Sequence, residues 1–466
     1  MKKIQINIAT FFLMVSVLSS CKMGKDYEAP VVDTPLEYRF GTDTVITTEI
    51  DTMMDWSMLI QDPILDTLIA TALRNNQDVK IAMQRIIEAE KLYRIQRVNA
   101  RPMLDYSGNY QYGNFNNMNV GDQQGVYFGG SNLNWEIDLW GKNKRLSEAA
   151  KADYMSSVYG LHAAQITLVA SVSEFYIELL ENQASLQVAE RTLASRDSSM
   201  VMMDARFERG AIPEIDLNQA QIQQAIAESA VPVYKRGIVL AENTLSILLG
   251  ENPRAVVTGL SLTEQVVPQA IPSGIPSDLL KRRPDVMQSE EAIITQNAQV
   301  GAAIANRFPS ISITGSGGVA SAALSSANLT QGAWNIGAGI VGPLFEWGKN
   351  KRKIEVEKAR LETSILNYEK DVRQSFKEVE DALASIQYYS EEELARQKHV
   401  TAARSAEYLS KERYDKGVTS YLEYLEQQRT AFDAELNYIT VKSNILKSYI
   451  QLYKSLGGGW KNKEEK

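Results

Sequence analysis

WGKNKR stands at residues 140–145 and again at 347–352, 207 positions apart. The same offset holds on either side of the motif. Leu73, Asp78 and Val79 return as Leu280, Asp285 and Val286; Pro102 and Gly108 return as Pro309 and Gly315. Glu148, Lys151 and Ala152 match Glu355, Lys358 and Ala359, and Leu249-Gly250 matches Leu456-Gly457. RFERG (206–210) is echoed by RYDKG (413–417). A period of 207 is too long for a solenoid unit, which runs roughly 20–50 residues. The chain is therefore internally duplicated, in two structural halves.

The residues before each motif alternate. In NLNWEIDL (132–139), Leu133, Trp135, Ile137 and Leu139 share one side, and Asn132, Asn134, Glu136 and Asp138 the other. LDYSGNYQY (104–112) repeats the pattern, and ISITGSGGV (311–319) and WNIGAGIVG (334–342) carry it more weakly. Such a period of two, rich in aromatics and glycine, predicts half-buried or transmembrane strands. They pair as two hairpins, about 103–138 and 310–345. Gly337, Gly339 and Gly342 spell GxGxxG, but Pro343 and a strand-like PLFEW follow where a dinucleotide site needs a helix.

After each motif the texture changes. From Asn143 to about Phe207 and from Asn350 to about Tyr414 there is no proline, and glycine only at Gly160. Good helix formers dominate, with apolar residues at helical spacing such as Val372, Phe376, Val379 and Leu383. About 65 residues make a helix of roughly 100 Å, which calls for coiled-coil or tubular packing. Gly210 and Gly417 end these helices. A second helix follows each, about 213–249 and 420–456, and shorter ones, about 62–100 and 276–306, precede the strands. The segments 22–60 and 251–275 read as extended packing segments.

The net charge of −8 argues against a general nucleic-acid binder. With a single Cys there is no internal disulfide, and two histidines, His162 and His399, do not make a metal site. Both read as solvated helix-surface residues. No nucleophile–base constellation points to an enzyme, and no cofactor or metal is expected. Lys2 and Lys3 precede a short apolar run, Ile8 to Leu18, as in a signal peptide. Leu18-Ser19-Ser20-Cys21 resembles a lipobox, which makes Cys21 the expected lipid anchor. No later segment reads as a transmembrane helix.

An apolar-faced strand, then Trp-Gly, then basic residues opening a polar helix is the order expected on leaving a membrane. Trp140 and Trp347 suit the headgroup level, and Lys142, Arg145, Lys349 and Arg352 could reach phosphates there. Four strands cannot close a transmembrane barrel, since bacterial barrels start at about eight, and open sheet edges are not tolerated in lipid. Several chains must then contribute to one barrel.

These features, with GKDYEAP (24–30), KRRPDV (281–286) and LYKSLGGGW (452–460), resemble the TolC-like outer-membrane efflux proteins. The likeness is to the lipoprotein branch that serves resistance–nodulation–division pumps. It implies a mainly α fold with a transmembrane β part. Four strands per protomer would form a trimeric twelve-stranded barrel, continued by a long α-helical periplasmic barrel. It also implies a homotrimer in the outer membrane, working with a periplasmic adaptor protein and an inner-membrane pump. By the same resemblance the tips, with Arg206, Gly210, Arg413, Tyr414 and Gly417, dock the adaptor. Glu423 and Glu426 would line a periplasmic gate, although the first repeat offers Asp216 and Gln219 there. The expected organisation is a signal peptide (1–20), an anchored segment (21–60), repeats at 61–250 and 276–457 joined by 251–275, and a tail (458–466). A protein-secretion channel and a coiled-coil lipoprotein scaffold are the alternative functions.

Overall fold

A computed structural model describes residues 22–40, 60–113, 124–266, 279–321 and 331–459. The expected signal peptide, the expected anchor Cys21 and most of the expected tail lie outside these. In chain order the helices are α1 (Pro63–Asn75), α2 (Gln77–Val98), α3 (Lys142–Glu208), α4 (Glu214–Leu248), α5 (Leu279–Arg282), α6 (Pro284–Ala305), α7 (Lys349–Asp415) and α8 (Tyr421–Ser455). The strands are β1 (Met103–Gly113), β2 (Gln124–Ile137), β3 (Ser310–Ser321) and β4 (Gln331–Val341). Helices α3 and α7 each hold 67 residues, and α4 and α8 each hold 35. β4 stops at Val341, so PLFEW is not a strand. Pro343 has no N–H to extend a ladder.

The expected single helices at 62–100 and 276–306 are each broken, at equivalent places. Asn76 caps α2 by accepting from the N–H groups of Asp78 (2.9 Å) and Val79 (3.2 Å). Its Nδ2 donates to the Leu248 carbonyl at 3.0 Å. In the second copy Arg283 stands before Pro284, a position that disfavours helical backbone. Its Nη1 donates to the equivalent carbonyl, that of Ser455, at 3.2 Å. The guanidinium also pairs with Asp285 (2.6 Å) and Glu378 (2.7 Å). One carbonyl at the end of a long hairpin is thus tied down twice, by an amide in one repeat and a guanidinium in the other.

The chain divides into two compact units, residues 1–31, 84–158 and 288–370, and residues 32–83, 159–287 and 371–466. The second unit holds the main core, including Ile69, Val172, Ile177, Leu179, Leu245, Ile445 and Leu446. A stretch of α3 is long and apolar enough to cross a membrane by composition. Its residues Val169, Val172, Ile177 and Leu179 are instead buried in this core. His162, expected in solvent, is half-buried, and burial lowers its pKa.

Within the same unit Asp62 is a buried hub. It accepts from Tyr176 Oη (2.7 Å), the Ile64 N–H (2.9 Å) and Gln265 Nε2 (2.9 Å). Burial works against its charge, but these donors outweigh it and hold its pKa below the ordinary value.

In the first unit the four strands form one antiparallel sheet in the order β1-β2-β3-β4. The register sorts its faces. Leu104, Leu133, Gly315 and Ile336 lie in one cross-strand row; Trp135, Ile313 and Ala338 share a second, and Ile137, Ile311 and Ile340 a third. On the opposite face, Asp105, Asn132, Ser316 and Asn335 make one row, and Glu136, Ser312 and Gly339 another. Gly130 and Gly318 meet on this polar face, where a Cβ on either would come within 2.8 Å of backbone oxygen.

The Asp62 hub generates the first prediction. Asp62→Ala should lower the thermal midpoint of helical circular dichroism by an amount equivalent to about 3 kcal/mol, and Tyr176→Phe by about 1. Because the folded pKa is depressed, the contribution is complete above the ordinary aspartate value of about 3.9. It should fade as pH falls through the lower folded-state value. An equal midpoint for wild type and Asp62→Ala at neutral pH would contradict this.

Candidate functional site

The duplicated strand–helix junctions carry one hexapeptide in two settings. In the first, Asp138 caps α3 by accepting from the N–H groups of Asn143 (3.1 Å) and Lys144 (2.8 Å). Lys142 reaches Glu136, on the sheet's polar face, at 3.5 Å. The Trp140 indole stacks on Phe308 at 4.6 Å and donates to the Pro309 carbonyl at 2.8 Å.

Arg145 departs from expectation. Grouped by sequence with the residues that reach lipid phosphates, it is wholly buried. Its Nε donates to the carbonyl of Met23 (2.8 Å), and its Nη2 to those of Gly24 (3.0 Å) and Lys25 (2.9 Å). Its Nη1 pairs with Glu148 (3.0 Å) and Asp26 (3.2 Å). Lys22 and Arg145 together keep the Asp26 carboxyl below its ordinary pKa, Lys22 being the larger cause. Two glycines make room. A Cβ at Gly301 on α6 would lie 2.6 Å from the Arg145 Nε. One at Gly24, whose φ is +86°, would lie 2.9 Å from the Gly301 Cα. The charge is buried but fully partnered, which is the condition under which burial is tolerated. The segment directly after Cys21 is thereby clamped by its own carbonyls.

In the second junction the positions of Glu136 and Asp138 are taken by Pro343 and Phe345. Trp347 takes a left-handed φ of 52° and is 87% exposed, with its ring 4.7 Å from Phe345. Lys349 and Arg352 are exposed, and no carboxylate among the described residues pairs with either.

The tips are near copies. Gly210 (φ +68°) and Gly417 (φ +71°) close α3 and α7. Ala211 N–H donates to the Arg206 carbonyl and Val418 N–H to that of Arg413, the six-to-one bond of a Schellman end. Arg206 Nη1 donates to Tyr414 Oη at 2.5 Å, with its guanidinium 5.1 Å above that ring. Tyr414 packs with Tyr421 (5.2 Å between centroids) and Tyr424 (6.1 Å) in a buried cluster with Met200 and Met203. Burial raises the Tyr414 pKa and pushes that of Tyr421 up to about 12. Sequence reasoning missed this cluster, although three tyrosines within eleven residues were its signal.

Glu423 and Glu426 lie in the first turns of α8, where Ser420 caps the helix through the Glu423 N–H. Neither carboxylate is alone. Glu423 pairs with Arg413 at 2.9 Å and accepts from the Thr419 hydroxyl; Glu426 pairs with Arg429 at 2.8 Å. Among the described residues, no three His, Cys, Asp or Glu side chains group as metal ligands would.

The pattern of the outer membrane efflux protein family matches residues 68–251 and again 275–458. This chain belongs to that family. The second match begins and ends 207 residues after the first, as the hexapeptide does. The chain is 29% identical over 452 residues to the cation efflux system protein CusC of Escherichia coli, covering 96% of this chain and 98% of that one. It is 32% identical over 460 residues to the solvent efflux pump outer membrane protein SrpC of Pseudomonas putida, covering 95% and 96%. Among solved structures, the open state of the Neisseria gonorrhoeae MtrE outer membrane channel superposes with a TM-score of 0.83. The identity there is 29%, with 94% of this chain and 98% of that chain covered.

In this efflux-family chain Arg145→Met should free the N-terminal segment. Limited trypsinolysis with mass spectrometry should show cleavage after Lys22 and Lys25 at least tenfold faster than in wild type, with Arg352→Met at the wild-type rate. Equal rates in all three proteins would remove the clamp.

Proposed function

We propose that the protein is the outer-membrane channel of a tripartite efflux system, a passive conduit for small molecules with no chemical step of its own. The observation that carries this reading is the two-faced sheet with open edges. On one face Leu104, Tyr106, Tyr110, Trp334, Ile336 and Ile340 stand exposed together, an apolar area of the kind that meets lipid or a partner. The opposite face is polar, as a water-filled lumen requires. β1 and β4 each have one unpaired side, and hydrocarbon does not tolerate that.

Pairing β4 of one copy with β1 of the next closes the sheet. Eight strands from two copies would enclose a lumen filled by side chains, whereas twelve from three leave a passage. The reading is therefore a homotrimer, lipid-anchored at Cys21. Its strands cross the outer membrane, its helices extend into the periplasm, and its tips at Gly210 and Gly417 meet a periplasmic adaptor beside an inner-membrane pump. The names of CusC and SrpC support efflux as the task.

Glu423 and Glu426 are read as the periplasmic gate, with one qualification from their surroundings. Arg413 and Arg429 offset much of the charge within each copy. Like charges brought close by threefold symmetry would otherwise oppose ionisation.

Two measurements test the reading. Native mass spectrometry of detergent-purified protein should give three copies per complex, each with an acylated Cys21; a stable monomer that still conducts, or a free Cys21 thiol, contradicts it. In planar bilayers Glu423→Ala/Glu426→Ala should lower cation preference, and Arg413→Ala/Arg429→Ala should raise it by unmasking the carboxylates. If neither pair changes the reversal potential in a salt gradient, these side chains do not line the constriction.

A further inference from the structure

The second junction has kept the cations of the first and lost two of its anions, Glu136 and Asp138, while Glu355, in the place of Glu148, lies 3.9 Å from Lys351. Lys142 finds Glu136, and Arg145 finds Glu148 and Asp26. Their equivalents Lys349 and Arg352, with Lys353 in the place of Leu146, have no carboxylate partner among the described residues. The first turn of α7 holds no acidic residue, although a helix N-terminus favours negative charge. Uncompensated positive charge at that end is locally unfavourable, and such departures concentrate at functional sites.

These three cations line one cavity of about 690 Å³, with Leu146, Ala303 and Val356 as apolar wall and Gln299 and Asn306 as polar caps. The carboxylate on its wall, Glu357, is already engaged by Gln296 (2.6 Å) and Arg360 (3.0 Å). All the lining comes from α3, α6 and α7 of one chain, so no second copy is needed to build it.

α6 turns Glu290, Asn297 and Gly301 to the N-terminal segment, and the cavity touches its other side, at Gln299, Ala303 and Asn306. The N-terminal segment therefore leaves the cavity uncovered.

We propose that this cavity binds soluble organic anions, molecules with one sulfonate, phosphate or carboxylate head and an apolar body. The head meets Lys349, Arg352 and Lys353, where the bidentate geometry of Arg352 suits an oxyanion, and the body lies against Leu146 and Val356. The assignment names a substrate class for the proposed conduit and rests on that reading only for its place in the lumen.

The test uses the full-length protein in detergent and naphthalene-2-sulfonate as probe, with isothermal titration calorimetry. Lys349→Gln/Arg352→Gln/Lys353→Gln should weaken binding at least tenfold. Lys351→Gln, in the same turn but outside the cavity lining, should stay within twofold. The neutral naphthalene-2-sulfonamide should bind at least tenfold more weakly than the sulfonate, and added salt should weaken the sulfonate further. Circular dichroism establishes that each variant is folded, and Arg352→Gln alone, expected to weaken binding about threefold or more, replaces the triple variant if that does not fold. Absent binding in wild type, equal binding in wild type and cavity variants, or equal binding of sulfonate and sulfonamide overturns the site. Bilayer recording separates this from the conduit: binding without conductance refutes the conduit and leaves the anion site standing, whereas conductance without binding does the reverse.

Discussion

A backbone N–H or C=O left unpaired in hydrocarbon costs several kcal/mol, and β1 and β4 each present such a row along an open edge. The proposed assembly follows from that constraint. It requires more than one copy, because only closure removes edges and four strands close nothing. It also accounts for the register, since rows such as Leu104-Leu133-Gly315-Ile336 keep one face largely apolar across all four strands. A slip of one residue in any strand would turn its whole apolar set toward the polar side.

Duplication supplied the two hairpins, and divergence gave equivalent positions different partners. Asn76 and Arg283 hold equivalent carbonyls with different chemistry. The two WGKNKR copies diverge further, because their neighbours changed while the hexapeptide did not. Pro343 and Phe345 stand where the first copy has Glu136 and Asp138, so Lys349 lacks the partner that Lys142 has. At the tips, by contrast, the Schellman ends at Gly210 and Gly417 are the same in both copies. Left-handed backbone at a helix end leaves little choice but glycine.

The core of the second unit and the polar ties around it serve rigidity. Asp62 collects donors from Ile64, Tyr176 and Gln265, joining three stretches of chain at one buried carboxylate. The tyrosine cluster at the tip is smaller and is flanked by ion pairs such as Arg413–Glu423. Regions with few buried apolar contacts open at lower free-energy cost, which suits the gate proposed for that end.

Much of this was legible in one dimension. The offset of 207 exposed the duplication, alternation in LDYSGNYQY and NLNWEIDL located the strands, and proline-free runs closed by Gly210 and Gly417 located the long helices. These are local properties: alternation reports a face, helix formers report a helix, and glycine reports a left-handed turn. The break at Asn76 was less visible, because the amide is also held by a carbonyl 172 residues away, whereas Pro284 marks the break at Arg283. The pairing of Glu423 and Glu426 with arginines was likewise hidden, since neither distance nor rotamer is written in spacing. The clearest limit is Arg145 against Arg352. Their hexapeptides are identical, so nothing within the motif separates them. Only the fold lays carbonyls from 120 to 122 residues upstream against Arg145 through a gap left by Gly24 and Gly301. Burial of a guanidinium depends on every one of its donors finding an acceptor, and that is a property of three-dimensional neighbours.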